Sequence, residues 1–289
     1  MVYRKKTPVD ILVPVVTLLA HGCPVRAMVA AFGLQAETVR TWAAESGVHC
    51  AQGHRHPVLG ACLSLLHVQA DEMRARMQKG MVWMAMALMV SARLWLGGVV
   101  STHRDKDLMR RLADRGRACA RPGALPVAVD VPAASVNAFR CALRRKAPWK
   151  VPDARTWRPG NRSSSSRRSS STSAVVWGGV VRRLVQGDEA VLDELLASSG
   201  GGQTLNTASI ERLHAAFRSR LVSLVRRPRY GARRQRMATL GMYPVGTVDN
   251  SCPPHDTLTN AQSHRCTPAM GAGFTRHVWE DGAPKRCTS

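Results

Sequence analysis

The chain has 289 residues, 45% of them hydrophobic, enough to bury a sizeable core, so one domain of moderate size with a small appendage is expected. Forty-two Lys and Arg against 19 Asp and Glu give a formal charge of +23, which points to a polyanion, and to nucleic acid ahead of an anionic membrane surface or a ribosomal location. The longest apolar run, 82–90, is about half of what a bilayer span needs, and the eight scattered cysteines include no C-x-x-C pair, so neither a transmembrane segment nor a zinc ribbon is expected and reduced thiols in a cytoplasmic protein are.

In chain order, residues 9–20 read as a helix with apolar Ile11, Leu12, Val15, Val16, Leu18 and Leu19, interrupted by Pro14. Gly22-Cys23-Pro24 ends it, and Pro24 suits the first position of a second helix whose Val25, Met28, Val29 and Phe32 follow the i, i+3, i+4, i+7 pattern up to Gly33. A third helix, 36–45, buries Val39 and Trp42, exposes Glu37, and presents Gln35, Thr38, Arg40 and Thr41, with Gly47 expected to stop it. Two short helices about a glycine turn, the second polar and basic on its outer side, fit a helix-turn-helix whose second helix lies in the major groove. The same pattern suits two structural helices of an all-α subdomain; the basic background favours DNA.

From residue 66 the period changes. Apolar runs at 66–70, 82–88, 94–100 and 125–129 read as strands, the first three forming an antiparallel meander. Residues 105–117, with Leu108, Met109 and Leu112 on one side, read as a crossover helix that makes the fourth strand parallel to the sheet centre. Strand-strand-strand-helix-strand is the order of an RNase H-like domain. The expected fold class is therefore α/β, an RNase H-like mixed sheet with flanking helices preceded by a small all-α helix-turn-helix.

The division that follows is a helix-turn-helix region at 1–52, a first catalytic part at 53–143, a disordered Ser/Arg-rich insertion at 144–174, a second catalytic part at 175–240 and an irregular tail at 241–289. Within the second part, 175–184 is strand-like and 188–197 is a short amphipathic helix. Residues 207–225 give the best helix, with Ile210, Leu213, Phe217, Leu221 and Leu224 on one stripe. Cys252-Pro253-Pro254 is expected to break any helix in the tail.

Asp71 closes the first strand and Asp130 the fourth, so with those strands adjacent and parallel the two carboxylates sit side by side. A divalent cation removes their repulsion, and oxygen ligands favour magnesium or manganese. Glu211, on the flank of the helix, is the third candidate, with Arg218 two turns further along. Such a triad can hold two ions about 4 Å apart and drive an in-line phosphoryl displacement. Taken singly, an Asp after a strand is ordinarily a turn residue and a Glu early in a helix complements the dipole; their joint presence in a basic chain gives them weight.

His67, four residues before Asp71, and His214, three after Glu211, could tune a metal site but read first as packed or surface histidines; Met81, Met84, Met86 and Met89 read as core filler, and Trp42, Trp83 and Trp95 as core anchors. Trp149, Trp157 and Trp177 lie among basic residues and suit either base stacking or chance placement. Arg226, Arg227, Arg229, Arg233, Arg234 and Arg236 form either a phosphate-contacting face or a solvated basic tail.

Several of these stretches together resemble a family: the run 68–72, Val82-Trp83-Met84-Ala85-Met86-Ala87-Leu88, Arg93-Leu94-Trp95-Leu96-Gly97-Gly98, and above all Asn206-Thr207-Ala208 with Ile210-Glu211-Arg212-Leu213 and Phe217-Arg218. They look like bacterial insertion-sequence transposases with a DDE catalytic domain, and the stretch from Leu19 through Leu34 resembles their helix-turn-helix. The resemblance implies that Asp71, Asp130 and Glu211 are the metal-binding triad, that magnesium is the cofactor, that the substrates are element ends and target DNA, and that the chain works as a homo-oligomer on DNA. Two departures stand beside it: Val131-Pro132 follows Asp130 where a glycine is expected, and the Ser/Arg segment looks like a reading-frame disturbance. The alternative is a catalytically inactive remnant that acts as a basic DNA-binding protein. An RNA-binding or ribosome-associated protein ranks last, since no single-strand stacking module is found.

Overall fold

The computed structural model describes residues 7–55, 58, 63–77, 80–120, 127–129, 189–198, 207–221 and 235–279. The elements are α1 (Val9–Ala20), α2 (Val25–Phe32), α3 (Ala36–His54), β1 (Val68–Arg76), β2 (Met81–Met89), β3 (Leu94–Ser101), α4 (Lys106–Cys119), β4 (Val127–Val129), α5 (Glu189–Ser198), α6 (Ala208–Arg220), α7 (Gln235–Ser251), α8 (Asp256–Gln262) and α9 (Pro268–Gly271). No helix among the described residues is long and apolar enough to cross a membrane.

The first three helices bury the residues that the 3.6-residue period singles out: Leu12, Val15, Met28, Val39 and Trp42 form one cluster, with Phe32 and Leu34 packed against it. Pro14 is accommodated inside α1, Pro24 is the N-cap of α2 rather than its first residue, and Gly33 ends α2 at φ 63°. Gly47 does not stop α3, which runs on to His54. A Cβ at Gly47 would stand 2.6 Å from the Leu240 carbonyl oxygen, so this glycine is the place where α3 and α7 approach closely. Glycine inside a helix costs about 1 kcal/mol relative to alanine, and burial of Ser46, Gly47 and His54 against the rest of the molecule offsets it.

The sheet has the order β3-β2-β1-β4. β1 pairs antiparallel with β2 from Val68↔Met89 to Arg76↔Met81, β2 pairs antiparallel with β3, and β4 runs parallel to β1 with Val68↔Val127 and Ala70↔Val129. The meander and the crossover through α4 are thus as the hydrophobic periods predict. β1 is longer than expected, and Asp71 is its fourth residue of nine instead of its last. Charges at 71, 72, 74 and 76 mask the strand in the sequence, yet Met73 and Ala75 keep the two-residue alternation and are buried.

Helices cover both faces. Val68, Ala70, Ala85 and Ala87 pack with Leu94 and with Leu108, Met109 and Leu112 of α4. Asp105 caps α4 by accepting from the Leu108 N–H at 2.9 Å. On the other face Met73, Ala75, Met84 and Met86 pack with Ile210, Leu213 and Phe217 of α6 and Ala238, Met242 and Val245 of α7.

The irregular tail expected from 241 is not what 241–279 forms. α7 crosses that boundary, passes through Pro244 and ends at Ser251, one residue before Cys252-Pro253-Pro254; α8 and α9 follow. Its sequence is poor in helix formers, so burial sustains it. Gly246 lies flat on Trp95, where a Cβ would overlap the indole carbons. Asn250 grips the edge of β3: its Oδ1 accepts from the Trp95 N–H at 2.9 Å and its Nδ2 donates to the Trp95 carbonyl at 3.1 Å. Gln235 Nε2 donates to the Val100 carbonyl at 2.7 Å, so both ends of α7 are tied to the same strand.

α6 spans Ala208–Arg220 with Leu221 as its C-cap, shorter than the expected 207–225; Leu224 lies outside the described residues. α5 falls within one residue of the helix expected at 188–197. The 144–174 insertion, the strand-like 175–184 and Trp149, Trp157 and Trp177 also lie outside them.

Candidate functional site

Residues of β1 two apart share a face. Gln69 and Asp71 therefore point toward α6, while Val68, Ala70 and Glu72 point toward α4. Gln69 is fully buried, and its Oε1 accepts from the Ile210 N–H at 2.9 Å. Ile210 lies in the first turn of α6, where backbone N–H groups have no partner within the helix, so this side chain fixes the start of α6 over the sheet. One turn on, His214 Nδ1 lies 3.4 Å from Asp71 Oδ2. A two-residue step along the strand is thus matched to a four-residue step along the helix.

His214 is buried, and desolvation, followed by the nearby Arg218 charge, pulls its pKa down to about 4 against a hydrogen bond to the Asp71 backbone. The imidazole is neutral at pH 7, and its contact with Asp71 is not an ion pair. His67 is a packed histidine, as expected, with neither ring nitrogen partnered among the described residues; burial, then the charge of Arg93, lowers its pKa to about 4.

The three predicted carboxylates fare differently. Asp71 is mostly buried beside His214, its side chain 18% exposed. Glu211 is exposed on the flank of α6, where its Oε1 accepts from Thr207 Oγ1 at 2.8 Å. Asp130 lies outside the described residues, although the register pairs Ala70 with Val129, so Asp71 and Asp130 each directly follow a paired position. Among the described residues, no three His, Cys, Asp or Glu side chains form a group that could hold a metal ion.

Two further groups accompany the site. His214, read from the sequence as a packed or surface histidine that could tune a metal site, lies on the buried stripe four residues after Ile210. Glu72 is the other: on the α4 face its buried carboxylate accepts from Arg104 Nε at 2.6 Å, and the guanidinium stacks 4.9 Å above the Trp83 ring. Nothing in the sequence links positions 72 and 104, since the sheet register brings them together.

Of the predicted DNA-contacting residues, Gln35, Arg40 and Thr41 are exposed on α3 and Thr38 is half-buried. Arg40 also pairs with Glu37 at 3.2 Å. Arg218 and Arg236 are exposed, while Arg226, Arg227, Arg229, Arg233 and Arg234 lie outside the described residues.

The molecule is a mixed α/β protein, a small sheet covered by helices on both faces and joined to a three-helix unit. No protein-family model matches the chain, and no curated protein matches it.

Proposed function

We propose that the chain is a DDE-type transposase, with an RNase H-like catalytic domain behind a helix-turn-helix, that cuts the ends of an insertion sequence and joins them to target DNA as a homo-oligomer. The observation that carries this reading is the β3-β2-β1-β4 order, in which β1 bears Asp71, runs parallel to β4 and lies under the helix that bears Glu211. The charge of +23 and the exposed polar side of α3 support DNA as the substrate.

Asp71 and Glu211, with Asp130 completing the set, are the residues that would hold magnesium or manganese; their oxygen donors suit such hard cations. When bound, the ions supply activation of the attacking oxygen and stabilisation of the leaving one in an in-line displacement at phosphorus. The chain's own contribution is positional. Gln69 anchors the first turn of α6, and neutral His214 holds Asp71 from the helix side without adding charge. Gln35, Thr38, Arg40 and Thr41 read the major groove, and Arg218 and Arg236 contact phosphates. The test is magnesium-dependent nicking or strand transfer on DNA carrying the element's ends. Asp71→Asn, Asp130→Asn and Glu211→Gln should each abolish it while leaving the fold intact, and activity retained in all three contradicts the reading.

A second reading, a catalytically inactive DNA-binding remnant, is favoured by one observation: the α6 side chain against Asp71 is His214, and Glu211 is engaged by Thr207. It predicts duplex binding that persists with no cleavage at any divalent-ion concentration.

A further inference from the structure

A cavity of about 480 Å³, whose lining does not include Asp71, opens where the β2–β3 turn, the outer flank of α6 and the segment leading into α8 meet. Arg93, Ser209, Arg212 and His255 converge there. Arg93 occupies the left-handed region at φ 55°, a turn position where glycine or asparagine costs less. What the arginine adds is its side chain, which reaches across to donate to Ser209 Oγ. Arg212 NH1 lies 3.5 Å from His255 Nε2.

The charges in this cavity are not balanced. Arg220 is neutralised by Asp249 at 3.0 Å, but neither Arg93 nor Arg212 has a carboxylate partner among the described residues. The remaining acid of the lining, Asp256, is exposed at the start of α8. Burial, then the neighbouring Arg212 charge, pulls the Arg93 guanidinium below its usual range. Burial, then the Arg93 and Arg212 charges, lowers the His255 pKa against the opposing pull of Asp256, and its Nδ1 is buried with no partner among the described residues. Two guanidinium forks, a hydroxyl and an imidazole around one concavity are the donors that a tetrahedral oxyanion takes.

We propose that Arg93, Ser209, Arg212 and His255 form a phosphate-binding site that takes a phosphodiester of bound DNA. The choice of DNA as the source of the phosphate rests on the proposed function; the oxyanion chemistry does not. The site lies on the flank of the same helix that carries Glu211, so it would fix the strand relative to that residue without touching the reacting phosphate.

The experiment uses the full chain and two probes, a short fluorescent duplex titrated across salt concentrations and inorganic phosphate against chloride of equal ionic strength in thermal melts. Arg212 is exposed, so Arg212→Gln tests the site without disturbing the core. Arg212→Gln should weaken duplex binding about tenfold at low salt and reduce the slope of log K against log salt by about 1. His255→Gln should weaken binding less, with the slope unchanged. Arg117→Gln, on α4 across the sheet, should leave both quantities as in the wild type. Phosphate should raise the wild-type melting temperature and lose that effect in Arg212→Gln. An unchanged duplex slope in Arg212→Gln, with the phosphate effect still dependent on Arg212, overturns DNA as the source. Loss of neither response overturns the site itself. A wild type that binds no duplex at any salt also overturns this proposal and sinks the DNA reading with it, whereas duplex binding without cleavage leaves the site standing and counts only against the transposase.

Discussion

His214 Nδ1 faces Asp71 Oδ2 at 3.4 Å across the seam between α6 and β1, in a setting where the imidazole stays neutral and the carboxylate is mostly buried. This contact ties the helix that bears Glu211 to the strand that bears Asp71. His214→Ala should leave a cavity and remove the imidazole beside Asp71, lowering stability by about 1–3 kcal/mol. The check is the urea midpoint at constant m-value, with Asp71→Asn as a comparison expected to cost less.

Gly246 lies against the Trp95 ring with no room for a methyl group. Gly246→Ala should destabilise by about 1–3 kcal/mol through overpacking. Combining it with Trp95→Leu should recover part of that loss, because the smaller side chain removes the overlap. A double-mutant cycle from equilibrium unfolding reads the coupling, and additive losses would contradict the assigned cause.

Asn250 satisfies both backbone polar groups of Trp95 on the β3 edge. Asn250→Ala leaves them buried and unpaired, which should cost about 2 kcal/mol or more. Asn250→Asp keeps an acceptor for the N–H but loses the donor to the carbonyl, so its amide at Trp95 should retain more hydrogen-exchange protection than in Asn250→Ala.

His54 and His67 are both held near pKa 4 by burial, against an ordinary value of 6.5. For His54 the Leu96 carbonyl hydrogen bond raises the pKa partly back and the Arg115 charge lowers it. Since the folded value is the lower one, the unfolded chain takes up these protons first as the pH falls. Their contribution is whole above about 6.5, declines between 6.5 and 4, and changes no further below 4. Each histidine accounts for a loss on the order of 3 kcal/mol over that interval. Urea midpoints from neutral pH downward should show it, and His54→Gln should remove one proton's share of the slope.

The sheet was legible because short Val- and Met-rich apolar runs separated by turn or charged segments, followed by one amphipathic helix at 106–119, admit few connections. The partners of its residues were not. Asp71 reads as the end of a strand because charges follow it, and only the pairing of Glu72 to Ala85 and Arg74 to Trp83 carries β1 onward. α7 was hidden for a related reason: Gly241, Pro244 and Gly246 are poor helix formers, and the helix exists because its glycines admit Leu221 and Trp95 at close range. Glu211 was visible as an acidic residue beside a buried stripe, and its exposure on the flank fits that spacing. His214 reaches Asp71 because it lies on the stripe itself.

Manganese binding followed by electron paramagnetic resonance tests most directly whether Asp71 and Glu211 belong to one metal-holding set. Wild-type protein should bind the ion, and Asp71→Asn or Glu211→Gln, each still folded by circular dichroism, should lower the affinity at least tenfold. Equal manganese affinity in the wild type and both variants would contradict the account.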